Sequence, residues 1–116
     1  MNAAIVDCLI ALRGVGGCEL YAYCLMPDHL HFLAAPVADG ASVLGFAHRF
    51  KSVSTRVAWQ HHVRGRLWQP RFYDHVVRDT ESLSAICDYI LDNPLRAGLV
   101  ASREQYRWSA LVDAIR

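Results

Sequence analysis

Apolar and polar positions recur along this chain with two distinct periods, and the switches between them mark the elements. Residues 3–12 form an apolar stretch interrupted by Asp7, and 2–13 read as a first helix that Gly14, Gly16 and Gly17 stop. Residues 18–26 and 30–36 are short runs rich in Tyr, Leu, Cys, Phe and Ala, read as two strands joined by a tight turn at Pro27-Asp28. Pro36 and Gly40 bracket a loop, and Ser42 is placed to cap a second helix running to about residue 62. In that stretch Val43, Phe46, Ala47, Phe50, Val53 and Val57 recur at helical spacing. Gly65 opens a turn, Arg71 to Arg78 reads as another strand, and Asp79 or Thr80 begins a third helix with Leu83, Ile86, Cys87 and Ile90 on one face. Asn93-Pro94 breaks or re-caps it, and Gly98 ends a short final turn. The tail from Ser102 carries Tyr106 and Trp108 to pack and is expected to end in one more short helix. Strands mixed with helices, and a hairpin set between helices, predict an α+β fold: a small, mainly antiparallel sheet flanked by helices.

Composition narrows this picture. At 116 residues with 53% hydrophobic content, the chain fits a single domain, 1–116, with a core of its own. Four cysteines form no CxxC pair and sit mostly among apolar neighbours, which suggests reduced core thiols in a cytoplasmic protein. No apolar run is long enough to span a membrane, and no basic segment precedes the first helix, so neither a membrane anchor nor a secretory signal is expected.

A net charge of +1 says little, but its distribution says more. Residues 49–78 hold Arg49, Lys51, Arg56, Arg64, Arg66, Arg71 and Arg78 against one acid, Asp74. Such a block suits a polyanion, and arginine's planar fork suits phosphate. A solvated helix face would look the same. Arg49, Lys51, Arg56, Arg71 and Arg96 are the candidate phosphate contacts, Arg96 being equally suited to favour a helix C-terminus.

The segment Met26-Pro27-Asp28-His29-Leu30-His31-Phe32-Leu33 carries the sharpest chemistry. Side chains at i and i+2 on a strand share a face, so His29 and His31 project side by side while Leu30 packs the other way. Two imidazoles on a rigid strand begin a divalent metal site. Alone, the motif is better explained by one core histidine and one at a strand end. On the third helix, at 100° per residue from Leu83, Tyr89 falls at about 240° and Asn93 at about 280°, both flanking the buried face. Being four residues apart, they are neighbours able to reach toward the histidine pair. Tyr21 and Tyr23 suit the core or a sheet face, Tyr106 lies in the tail, and Tyr73, in the basic segment, is the main rival. His48, His61 and His62 are most simply solvated helix positions.

The blocks AYCLMPDHLHFL, GRLWQPRFYDHVVRD and DYILDNPLRAGLV, in this order, resemble the single-tyrosine transposases of the His-hydrophobic-His endonuclease superfamily. Within that group the chain is most similar to the REP-associated tyrosine transposases, over roughly residues 20–108. The resemblance implies a ferredoxin-like sheet flanked by helices, and cleavage and rejoining of single-stranded DNA beside a hairpin. It implies Tyr89 as the nucleophile, forming a 5′-phosphotyrosine link. It makes His29 and His31 ligands of Mg²⁺ or Mn²⁺ and Asn93 the third, polar ligand. Asn93 also suits an N-cap before Pro94. Trp68, Gln69, Asp74 and His75 fall in a family block and can either meet DNA or fix a local turn.

Relatives begin with a strand ahead of the first helix, whereas Met1 here stands almost at that helix. The expectation is a sheet lacking the family's first strand, with an exposed edge open to a homodimer. Two other functions stay open. A catalytically inactive DNA-binding remnant would keep the basic surface, and a metal-dependent hydrolase would cleave without a tyrosine link.

Overall fold

A computed structural model describes residues 1–27, 29–62 and 82–115. The turn residue Asp28, the expected strand at 71–78, and Arg71, Tyr73, Trp68, Gln69, Asp74 and His75 lie outside the described residues. The element order is α1 (Asn2–Val15), β1 (Cys18–Leu25), β2 (Leu30–Pro36), α2 (Val43–Gln60), α3 (Leu83–Leu91), α4 (Asn93–Arg96), a 3₁₀ turn (Arg103–Gln105) and β3 (Ser109–Leu111). The chain divides into two compact units, one of residues 1–19 with 35–75 and the other of 20–34 with 76–116.

The first unit pairs α1 with α2. Helix α1 runs through Gly14 and closes on Gly16, so the first of the three glycines does not stop it. Its Ile5, Val6 and Leu9 are buried, as are Phe46, Ala47, Phe50 and Ala58 on α2, and a side chain at Gly16 would meet Phe46. The helical spacing thus found the right face of α2, although Val43, Val53 and Val57 are only half-buried. Ser42 caps α2 as expected, its hydroxyl accepting the Gly45 N–H at 3.0 Å. Ser54 on the same face is fully buried and satisfies its hydroxyl by donating to the Phe50 carbonyl at 2.6 Å. Gly17 adopts φ +67°, a left-handed conformation that side chains resist, and its carbonyl accepts both the Val37 and Ala38 N–H groups.

The second unit contains most of the sheet, ordered β2-β1-β3. Every residue of β1 is buried, as a central strand requires. A hydrogen bond from Met26 N–H to the His29 carbonyl at 2.8 Å closes the β1–β2 hairpin. Strand β3 runs antiparallel to β1, with Ala22 opposite Leu111, Tyr23 opposite Ala110 and Cys24 opposite Ser109.

Two expectations are corrected here. The tail forms the strand β3 rather than a short helix, because its backbone completes the ladder of β1. Val112 and Asp113 N–H groups extend that pairing to the carbonyls of Tyr21 and Leu20. Helix α3 starts at Leu83, later than Asp79 or Thr80, because Ser82 is extended and its hydroxyl accepts the Ala85 N–H. Cys87, Ile90, Leu91 and Pro94 are its buried contribution and that of α4.

Candidate active site around His29, His31 and Tyr89

His29, His31, Tyr89, Asn93 and Arg96 all belong to the second unit. His29 stands just ahead of β2 and His31 is its second residue. Their ring centroids are 4.5 Å apart, so the pair is side by side as the i, i+2 spacing requires. The rings meet edge to face at 81° rather than in parallel, because His29 sits in the turn, outside the regular pleat. Burial holds the His31 imidazole below the ordinary histidine range, and the charges of His29 and Arg96 push it the same way. The neutral imidazole so favoured is the form that binds a metal.

Tyr89 lies on the exposed flank of α3, with 59% of its surface accessible, while Ile90 and Leu91 beside it are buried. Tyr21 and Tyr23 on β1 are buried. The Tyr106 hydroxyl donates to the Leu25 carbonyl, and burial raises its pKa, with the Cys24 thiol adding to the effect. Among the described tyrosines, Tyr89 is thus the one whose ring is open to a large substrate.

Asp92 turns the chain from α3 into α4, and Pro94 sits at the start of α4, where its missing N–H costs nothing. The cap position belongs to Asp92, so the N-cap role expected of Asn93 is not the observed one. The Asn93 Oδ1 instead accepts a hydrogen bond from Arg96 Nη2 at 2.5 Å. The same nitrogen donates to the Tyr89 carbonyl at 2.6 Å, and the guanidinium lies over the Tyr89 ring, 3.8 Å from its centre. The Asn93 Nδ2 is buried with no hydrogen-bond partner. Arg96 thus gathers Tyr89 and Asn93 and acts electrostatically on His31. This central placement was not legible in the sequence, where Arg96 reads as a phosphate contact or as a charge favouring the helix C-terminus. Its signal was a position seven residues beyond Tyr89, across a proline turn.

A second basic residue braces the turn from outside. Arg103 Nε donates to Asp92 at 2.8 Å, and its Nη1 pairs with Asp88 at 3.1 Å. These bonds raise the Arg103 pKa further and hold the Asp92 carboxyl below the usual range, chiefly through the Arg103 hydrogen bond. Behind the site, burial pushes the Cys24 thiol up to about 11 against a smaller opposing pull from Arg96, which makes it a poor nucleophile.

The candidate DNA contacts on α2 do not share a face. Arg49 and Arg56 are exposed and lie seven residues apart on one outward face, whereas Lys51 points elsewhere and is half-buried, which lowers its pKa. Arg71 lies outside the described residues.

For a divalent ion, the histidine pair supplies two donors of the right kind. Among the described residues no group of three His, Cys, Asp or Glu side chains is placed to hold a metal. Asn93 Oδ1 fits chemically, and the unsatisfied Nδ2 marks an amide whose present orientation is not its best. Two imidazoles and an amide oxygen are a donor set of the right chemistry for the ion, and the Asn93 oxygen is at present engaged by Arg96.

Residues 5–93 match the IS200-like transposase family, and the chain belongs to that family of transposases. It is 29% identical over 94 residues to the REP-associated tyrosine transposase of Escherichia coli K12, covering 78% of this chain and 53% of that protein. A Haemophilus influenzae protein named for the same transposases is 30% identical over 103 residues, covering 79% of this chain and 58% of that protein. The fold matches the solved structure of a REP-associated tyrosine transposase bound to a REP hairpin, with a TM-score of 0.77 at 23% identity. That match covers 90% of this chain and 61% of the solved one, and it bears out the α+β architecture of an antiparallel sheet with helices. The chain thus spans little more than half the length of these two curated relatives. Among the described residues, no helix is long and apolar enough to cross a membrane.

Proposed function

We propose that the chain cleaves and rejoins single-stranded DNA next to a hairpin, with Tyr89 as the nucleophile. The observation that carries this reading is the convergence on Arg96: its guanidinium covers the exposed Tyr89 ring and acts on His31 of the histidine pair. Membership of the transposase family, and the hairpin in the matched structure, support DNA as the substrate.

The Tyr89 phenolic oxygen attacks the scissile phosphorus, and the bond from phosphorus to the 3′-oxygen breaks. The phenolic proton passes to solvent, and the departing 3′-oxygen takes up a proton to become a 3′-hydroxyl. The 5′-phosphate stays on the tyrosine, so the bond energy is kept and a later 3′-hydroxyl can reverse the step without ATP. Placing the nucleophile on α3, which packs against β3, fixes its approach to the phosphate. Arg96 offers its guanidinium to a non-bridging phosphate oxygen. His29 and His31, with Asn93 as third ligand, would hold Mg²⁺ or Mn²⁺. When bound, that ion would neutralise charge growing on the phosphate oxygens. Arg49 and Arg56 on α2, and Arg71, contribute phosphate contacts, with Lys51 a lesser one because of its burial. Labelled hairpin DNA with a single-stranded flank, mixed with protein and Mn²⁺, tests the reading on a denaturing gel. A protein–DNA adduct that vanishes in Tyr89→Phe and in His31→Ala is expected. Cleavage that survives Tyr89→Phe would instead point to hydrolysis, and DNA binding with no cleavage at all to an inactive remnant.

A further inference from the structure

The contacts of Arg96 leave Asn93 in an unfavourable state. Its amide oxygen is committed to an exposed guanidinium, while its amide nitrogen is buried with no acceptor. Buried polar groups are normally paired, so an orphaned amide signals an arrangement held by something stronger beside it or one suited to a different state. The exposed Arg96 is open to anions from solvent. A phosphodiester is a better partner for it than a neutral amide, because it accepts charge-assisted, bidentate hydrogen bonds.

We propose that Arg96 is a latch that couples phosphodiester binding to metal binding. Without DNA, Arg96 holds Asn93 Oδ1 and covers the face of Tyr89, so an ion at the histidine pair has only two protein ligands. An arriving backbone phosphate draws the guanidinium away. The Asn93 amide is then free to turn, which takes Nδ2 out of its unsatisfied position and brings Oδ1 into play as a third ligand. The same departure uncovers the Tyr89 ring. Because coupling between two sites is reciprocal, a bound ion must in turn tighten the grip on phosphate. The device would keep the ion loosely held until there is a phosphate to act on. The inference rests on His29, His31 and Asn93 as the metal ligands.

Removing Arg96 also removes a positive charge that repels a cation, so the test must separate the latch from simple charge. Mn²⁺ affinity would be read from the electron paramagnetic resonance signal of free Mn²⁺, for wild type, Arg96→Ala, Asn93→Ala and the double variant, all without DNA. Arg96→Ala is expected to tighten Mn²⁺ binding by roughly 5- to 150-fold, the usual range of coupling between sites. In the Asn93→Ala background the same substitution should give a clearly smaller gain. Saturating dimethyl phosphate, a minimal phosphodiester, should tighten Mn²⁺ binding by wild type and leave Arg96→Ala unchanged. An equal gain in both backgrounds would reduce the effect to charge and overturn the latch, as would wild-type affinity indifferent to dimethyl phosphate. No Mn²⁺ binding in any variant would overturn the metal reading, and the latch with it.

Discussion

Asp113 holds the end of the sheet together, and its replacement should be costly. Strand β3 is only three residues long, too short to hold its register by ladder bonds alone. Beyond it, the Asp113 N–H donates to the Leu20 carbonyl at 2.7 Å, and the Asp113 carboxylate accepts the Leu20 N–H at 2.8 Å. Leu20 is fully buried at 0% exposure, so its N–H has no water to turn to. A hydrogen bond to a charged group contributes about 1.5–3 kcal/mol, and a buried N–H left without a partner costs about 1–3 kcal/mol. These are two views of one loss, so Asp113→Ala should destabilise by about 2 kcal/mol. For a chain of this size that lowers Tm by roughly 8 °C. Asp113→Asn keeps an oxygen acceptor and should lose less than half as much. Urea denaturation followed by circular dichroism gives the energies, and hydrogen exchange at the Leu20 amide gives the cause. An Asp113→Ala protein within about 0.5 kcal/mol of wild type, with the Leu20 amide still protected, would refute the reasoning.

Other substitutions probe the turns and the histidine pair. Gly17→Ala pays about 1–2 kcal/mol for the left-handed backbone, and its new Cβ would lie 2.8 Å from the Ala38 Cβ. Gly40→Ala, at φ +79° with open space around it, should pay the backbone cost alone. Equal losses of urea stability in the two variants would show that the contact with Ala38 is easily relieved. Because His31 is held below its ordinary pKa of 6.5, the unfolded chain binds its proton first as pH falls. The metal-free protein should therefore keep this contribution above about pH 6.5 and lose it as pH drops through that value toward the folded pKa. Urea midpoints between pH 8 and pH 5.5 should fall more steeply for wild type than for His31→Gln, and identical slopes would contradict the shift.

Much of this fold was legible because its elements announce themselves locally. The Phe46, Ala47 and Phe50 spacing, the Ser42 cap and the largely apolar run of β1, broken by Glu19 alone, each follow from side-chain pattern alone. Strand β3 does not, since Ser109–Leu111 has no periodicity and becomes a strand only by pairing with β1. Ser54 likewise looked polar, and only its bond back to Phe50 explains its burial. At the site, the i, i+2 histidines and the flanking position of Tyr89 could be read from spacing. The edge-to-face rings and the hold of Arg96 on Asn93 could not, because both depend on how the chain turns at Pro27 and at Asp92.

The central claim, that Tyr89 carries the covalent link, is tested most directly by mass spectrometry of the trapped adduct after trypsin digestion. Cleavage at arginine and lysine puts Tyr89 in the peptide 79–96, Tyr73 in 72–78, Tyr106 in 104–107, and Tyr21 with Tyr23 in 14–49. The account predicts nucleotide mass on peptide 79–96, with fragmentation placing the phosphate on Tyr89. Nucleotide on 72–78 or any other peptide, with 79–96 unmodified, would contradict it.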